Sequence, residues 1–192
     1  MADFAPELAK LDGIEGVYDN DPDDAGGETC FGIARAFHPG WEGWPLVDAA
    51  RNKPGFPDIL EHDPGVLAAR AAFYKAENWD RFACDEWEQG LAGEIFEQAV
   101  NLGNGRVAEH LQRVCNALNH KGRYGADLLV DGAFGSNTLA ALRKVVADRR
   151  SRAVQYGING LQCAHYVQLA EKNALKRKWT GGWLANRGGT TP

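Results

Sequence analysis

The sequence lacks several things, and each absence closes a class of explanation. None of its four cysteines, Cys30, Cys84, Cys115 and Cys163, forms a CxxC pair, and no histidine stands at metal-ligand spacing from them. Buried free thiols are therefore the expected state, and no metal or cofactor is called for. His38, His62, His110, His120 and His165 form no pattern, which leaves Ser/His/Asp and zinc-amidase chemistry without support. A surplus of positive charge is missing too: 21 Lys and Arg stand against 26 Asp and Glu, for a net charge of −5. Nothing in that balance favours a nucleic acid or an anionic membrane as partner. No apolar run approaches the length of a membrane span. The N-terminus, MADFAPELAKLDGIEG, has neither a cationic start nor an apolar signal-peptide core, so synthesis and retention in the cytoplasm are expected. There is no repeat and no low-complexity segment.

What is present is an ordinary globular composition over 192 residues, enough for one domain or two small ones packed together. Helical spacing of Phe4, Leu8 and Leu11 predicts a first helix over 4–14. Residues 16–32, GVYDNDPDDAGGETCFG, are dense in turn formers and predict a loop or short hairpin. Pro and Gly between 37 and 57 predict irregular chain with one short helix. Asp63-Pro64 reads as N-cap and first turn of a helix running to about Asn78. Further helices are predicted over 87–101, 106–119, from about Ser136, and over 152–178, with a disordered tail at 188–192. The fold class is mostly α, with a small β-hairpin or loop insert after the first helix and a helical C-terminal half.

Glu15 stands where the first helix meets the Gly/Asp-rich loop. A carboxyl half-buried there against Tyr18 and Phe31 would hold its proton more tightly, as a general acid near neutral pH requires. An ordinary helix-end carboxylate is the alternative, although a negative charge at a helix C-terminus is mildly unfavourable. The loop adds Asp19, Asp21, Asp23, Asp24 and Glu28. Any of these can serve as the second group of a glycoside hydrolysis or as a turn cap. Their spacing does not fit an EF-hand calcium loop.

The stretch IEGVYDNDPDDAGGETCFGIA resembles the signature of glycoside hydrolase family 108, an N-acetylmuramidase family. The match runs through Glu15, Gly16, Tyr18, Asp21, Pro22, Asp24, Gly26, Gly27, Thr29, Gly32 and Ile33. It departs at Val17, Ala25 and Cys30, none of which removes the acid. FYKAENWD and IFEQAVNLG resemble further elements of the family. LQRVCNAL, DGAFGSNTLAAL and GGWLANR resemble an associated peptidoglycan-binding half. The resemblance implies a lysozyme-like catalytic region over 1–90 and a helical peptidoglycan-binding-like region over 91–187 packed on it. It also implies that Glu15 is the catalytic acid. Phage-type lysozymes use Glu, Asp and Thr in that order. Glu15, Asp24 and Thr29 are similarly spaced, with eight and four residues between them. By that analogy Asp24 orients or activates water and Thr29 helps to hold it; the rival role for Asp24 is a structural cap.

A glycan substrate also calls for aromatic faces. The sequence holds six tryptophans, of which Trp41 and Trp44 lie in a Gly/Pro-rich loop where an exposed ring needs a reason. Tyr18, Trp41, Trp44, Gln98 and Asn101 are the expected substrate contacts. Lys172, Lys176, Arg177 and Lys178 read first as a solvated helix end, with a wall-binding patch as the alternative. The expected activity is cleavage of the β-1,4 bond between N-acetylmuramic acid and N-acetylglucosamine, by a monomer acting on peptidoglycan glycan strands. Export by a pore, by lysis or by a secretion machine would bring it to the wall. The alternatives are a lytic transglycosylase and a non-catalytic wall-binding or secretion-accessory protein.

Overall fold

The computed structural model describes residues 1–12, 16–21 and 27–187. Glu15, Asp24 and the tail at 188–192 therefore lie outside the described residues. The chain divides into two compact units, Phe4–Glu77 and Asn78–Pro192, the latter including Met1–Asp3. The architecture is mostly α with a small antiparallel insert, as the sequence reading expects. No described helix is long and apolar enough to cross a membrane.

In the N-terminal unit, helix α1 covers Phe4–Ala9, shorter than the predicted 4–14. The amides of Leu11 and Asp12 turn back to Leu8 and Ala9 at 3.1 Å, which tightens the chain into a turn and ends the helix. Strands β1 (Tyr18–Asp19), β2 (Thr29–Cys30) and β3 (Ile33–Ala34) form one antiparallel sheet in sequence order. The register pairs Tyr18 with Cys30 and Asp19 with Thr29, then Cys30 with Ile33 and Thr29 with Ala34. Only Phe31 and Gly32 join β2 to β3, with φ of 47° and 79°. Such a two-residue turn needs left-handed backbone at both positions, which glycine accepts readily and phenylalanine does not. Phe31 is held there from several sides. The Tyr74 hydroxyl donates to its carbonyl at 2.8 Å. The Phe31 amide donates to the Val17 carbonyl at 2.9 Å. The Arg70 guanidinium stacks on its ring at 4.8 Å.

Helix α2 (Trp44–Ala50) carries Pro45 in its first turn, and α3 (Pro64–Tyr74) begins as predicted. The Asp63 carboxylate accepts from the Gly65 and Val66 amides at 2.9 and 3.1 Å, and Pro64 occupies the first turn. Trp41 and Trp44 are buried, not exposed. Their rings meet edge to face at 4.9 Å, and their N–H groups donate to the carbonyls of Ala69 and His38. Gly43 is required beside them, since a Cβ there would stand 2.2 Å from the Trp41 ring.

The C-terminal unit is built from α4 (Gln89–Leu102), α5 (Asn104–Leu118), α6 (Ser136–Ala147), α7 (Ser151–Lys172) and α8 (Arg177–Arg187). Helix α7 packs on α4 and α5, and α6 packs on α5. Leu91, Ile95, Phe96, Leu111, Leu142 and Ile158 fill the space between them. The predicted helix over 152–178 breaks at Asn173. There the backbone is extended and the side-chain oxygen accepts from the Leu175 amide at 3.0 Å, an alternative to continuing the helix. At the other end, Gln89 pairs with both backbone groups of Asp3, at 2.7 and 3.0 Å.

A polar seam runs through this core. The Gln98 amide donates to Glu94 at 2.8 Å, and its oxygen faces His110 Nδ1 at 3.0 Å, which makes Nδ1 the protonated nitrogen of a neutral ring. Burial, then Arg106, Arg113 and His165, depress the His110 pKa from 6.5 to about 4. Between those two values the unfolded chain takes up a proton that the folded chain refuses. Stability therefore rises with pH through that window and is lost as pH falls from about 6.5 to about 4. Burial raises the Glu94 pKa, which acts in the opposite sense above the ordinary carboxylate range. Urea titrations from pH 4 to 7 of wild type and His110→Gln are expected to show a shallower acid-side slope in the variant. Identical slopes would refute a neutral, buried His110.

Candidate active site

The described residues on either side of 13–15 are each tied into the N-terminal unit. On one side, buried Arg70 on α3 donates to the Asp12 carboxylate at 2.6 Å. On the other, the Val17 carbonyl is bonded to Phe31 at the hairpin corner. Asp24 falls between β1 and β2 in sequence, outside the described residues. Thr29 sits on β2, half-buried, and its hydroxyl donates to the Gly27 carbonyl over a long 3.3 Å. That is the weak end of hydrogen-bond geometry and leaves the oxygen able to accept from another donor.

Glu28, next to Thr29, anchors an ionic cluster that the sequence reading missed. Its Oε1 accepts from the Tyr18 hydroxyl at 3.0 Å and from Arg51 at 2.6 Å. Its Oε2 faces Arg35 at 2.9 Å. Arg51 also donates to the Tyr18 oxygen at 2.9 Å, and both arginines reach Asp48, at 2.8 and 3.0 Å. The cluster ties β1, β2 and β3 to α2. Hydrogen bonds from Arg35 and Arg51 hold the Asp48 carboxyl below the usual range. Burial, followed by the Glu28 hydrogen bond, raises the Tyr18 phenol. Arg35 also stacks on Trp44 at 4.3 Å. Tyr18 thus has a role in holding the hairpin that its place in the motif does not reveal. Nothing in the spacing of Arg35 and Arg51, 16 residues apart, points to a shared partner.

Cys30 is buried, and burial followed by the nearby Glu28 pushes its thiol up to about 12, far from nucleophilic range. Cys84 and Cys115 are buried and Cys163 half-buried, and none of the four is in a disulfide. Among the described residues no cluster of His, Cys, Asp and Glu has the geometry to hold a metal ion.

Gln98 and Asn101 belong to the C-terminal unit. Gln98 is buried in the polar seam, and the Asn101 amide donates to the Tyr166 hydroxyl. Both act there as core contacts between helices. That unit also contains a cavity of about 480 Å³ between α6 and residues 124–137. Its acids are engaged in holding the loop: Asp127 with Asn119, and Asp131 with Gln112.

Residues 8–103 match the family model described as Glycosyl hydrolase 108, and residues 106–188 match the one described as Predicted Peptidoglycan domain. A search of curated proteins finds no match. Among solved structures, the chain is similar to one titled "Structure of Brucella abortus SagA". The TM-score is 0.59 and the identity 23%, over 96% of this chain and 88% of that one. At that identity the likeness concerns the fold.

Proposed function

Since the chain belongs to the Glycosyl hydrolase 108 family and carries a C-terminal peptidoglycan domain, it is a glycoside hydrolase of peptidoglycan, and we propose that it is an N-acetylmuramidase with Glu15 as its general acid. The bond cleaved is the β-1,4 link from N-acetylmuramic acid to N-acetylglucosamine. The observation that carries this reading is the family match over 8–103, which contains the ordered Glu15, Asp24 and Thr29 set.

In this mechanism the Glu15 carboxyl gives its proton to the glycosidic oxygen as the bond to the muramic anomeric carbon breaks. Positive charge builds on that sugar ring, and water adds to the anomeric carbon. Asp24 orients that water or takes its proton, and the loosely held Thr29 hydroxyl helps to fix its position. Export by a pore, by lysis or by a secretion machine brings the enzyme to the wall, where it serves lysis or remodelling.

Clearing of purified cell walls tests the reading. Wild type is expected to clear them, and a wild type that binds without clearing would be a wall-binding protein instead. Asp24→Asn is expected to slow clearing by about tenfold, less than loss of the acid itself. An unchanged rate would make Asp24 a loop cap.

A further inference from the structure

The Glu28 side chain is 12% exposed, whereas Asp48, on the far side of the same two arginines, is 48% exposed. An enclosed carboxylate is not the most stabilising way to hold a hairpin. Its lost hydration is only about offset by its ion pairs, and apolar side chains of similar volume often hold a fold as well. What two guanidinium groups on one carboxylate supply is direction, since such bonds fix angles as well as distances. The sheet register shows where that direction is passed on. The Arg35 amide donates to the Glu28 carbonyl at 2.8 Å, which extends the pairing of Thr29 with Ala34 by one residue. Side chains alternate along a strand. Tyr18, Cys30 and Ile33 are paired across the sheet and share one face with Glu28 and Arg35, and Cys30 and Ile33 are buried there. Asp19, Thr29 and Ala34 share the other face. The ion cluster thus grips the hairpin from behind Thr29, through the residue next to it in the chain. Its outer support is the buried Trp44, over which Arg35 lies at 4.3 Å and whose N–H donates to the His38 carbonyl at 2.8 Å.

We propose that Glu28 is a positioning residue of the cleavage reaction, holding the Thr29 hydroxyl where it meets the attacking water. The role rests on the muramidase reading above. Tyr18 from β1, Arg35 from just beyond β3 and Arg51 from the end of α2 converge on this one carboxylate. Glutamine in its place keeps the shape but turns an N–H toward one of the arginines. The hairpin then loses a tie, and Thr29 loses its fixed place. Both arginines keep Asp48 and reach solvent, so no charge is stranded in the core and the fold survives.

Steady-state cleavage of soluble peptidoglycan glycan fragments by the full chain tests the role, using wild type, Glu28→Gln, Thr29→Ala and the double variant, with a melting curve for each. Glu28→Gln is expected to lower kcat about tenfold and to move KM by less than about twofold, since the water is misplaced while the sugar still binds. The double variant is expected to fall no further than Thr29→Ala alone, because residues that act as one unit are not additive. A merely structural carboxylate would lower the melting temperature without that coupling. Tyr18→Phe removes only the hydroxyl donated to Glu28 and keeps the ring against Phe56 at 4.8 Å. It is expected to show the same pattern at about threefold, and it decides the outcome if Glu28→Gln does not fold. Full kcat in the folded variants, a loss confined to KM, additive losses, or full kcat in Thr29→Ala would each overturn the role. Any of these beside an active wild type leaves the muramidase reading standing. A wild type that cleaves no glycan removes that reading, and the role with it.

Discussion

Glu15→Gln is expected to lower the rate of wall clearing by about a hundredfold or more, the usual scale for loss of a general acid. The substitution keeps the shape of the side chain and removes only the proton it can give. The leaving sugar oxygen is a poor leaving group unless protonated, so the barrier rises while the substrate still binds. Melting temperature and wall binding are therefore expected to match wild type. That combination separates a chemical role from a structural one, because an ordinary helix-end carboxylate would leave the rate unchanged. Equal clearing by the two proteins would remove Glu15 from the mechanism.

The second large effect is on stability. Gln112→Ala is expected to destabilise the C-terminal unit by about 2–3 kcal/mol, lowering its melting temperature by roughly 4–12 °C. Gln112 on α5 is buried and uses both ends of its amide on the loop that precedes α6. Its oxygen accepts from the Asp131 and Gly132 amides at 3.0 and 3.2 Å. Its nitrogen donates to Asp131 Oδ1 at 2.7 Å and to the Ala133 carbonyl at 3.0 Å. Asn116, one turn on, treats Leu128 in the same way at 2.7 and 2.9 Å. Alanine leaves a hole and strands these groups, although water can reach the outer ones. Hydrogen exchange at residues 131–133 is expected to accelerate in the variant. A change in melting temperature below about 2 °C would show that the loop holds itself.

The elements most legible in the sequence were those specified by local chemistry. Asp63-Pro64 announced α3 because an N-cap and a first-turn proline act within one turn of chain. The apolar spacing of Leu91, Ile95 and Phe96 announced α4 for a similar reason. The hairpin was legible as turn chemistry but not as three strands, since two-residue strands carry no alternation to read. Trp41 and Trp44 were misread because their Gly/Pro-rich surroundings suggested exposure. Their burial depends on Gly43 and on carbonyls at His38 and Ala69, which local composition does not reveal. Arg35, Glu28, Asp48 and Arg51 were illegible as a set because a tertiary fold brings them together and no motif links them. The motif around Glu15 is legible in the sequence and marks that residue as the proposed acid.

The most direct measurement of the central claim is mass spectrometry of the fragments released from purified peptidoglycan. Muramidase hydrolysis leaves reducing N-acetylmuramic acid ends, each carrying the oxygen of one added water, and these are the expected products. Reducing N-acetylglucosamine ends would place the cut at the other glycosidic bond. Anhydro-muramic ends would show that the sugar's own hydroxyl, not water, attacks, and either result would contradict the account.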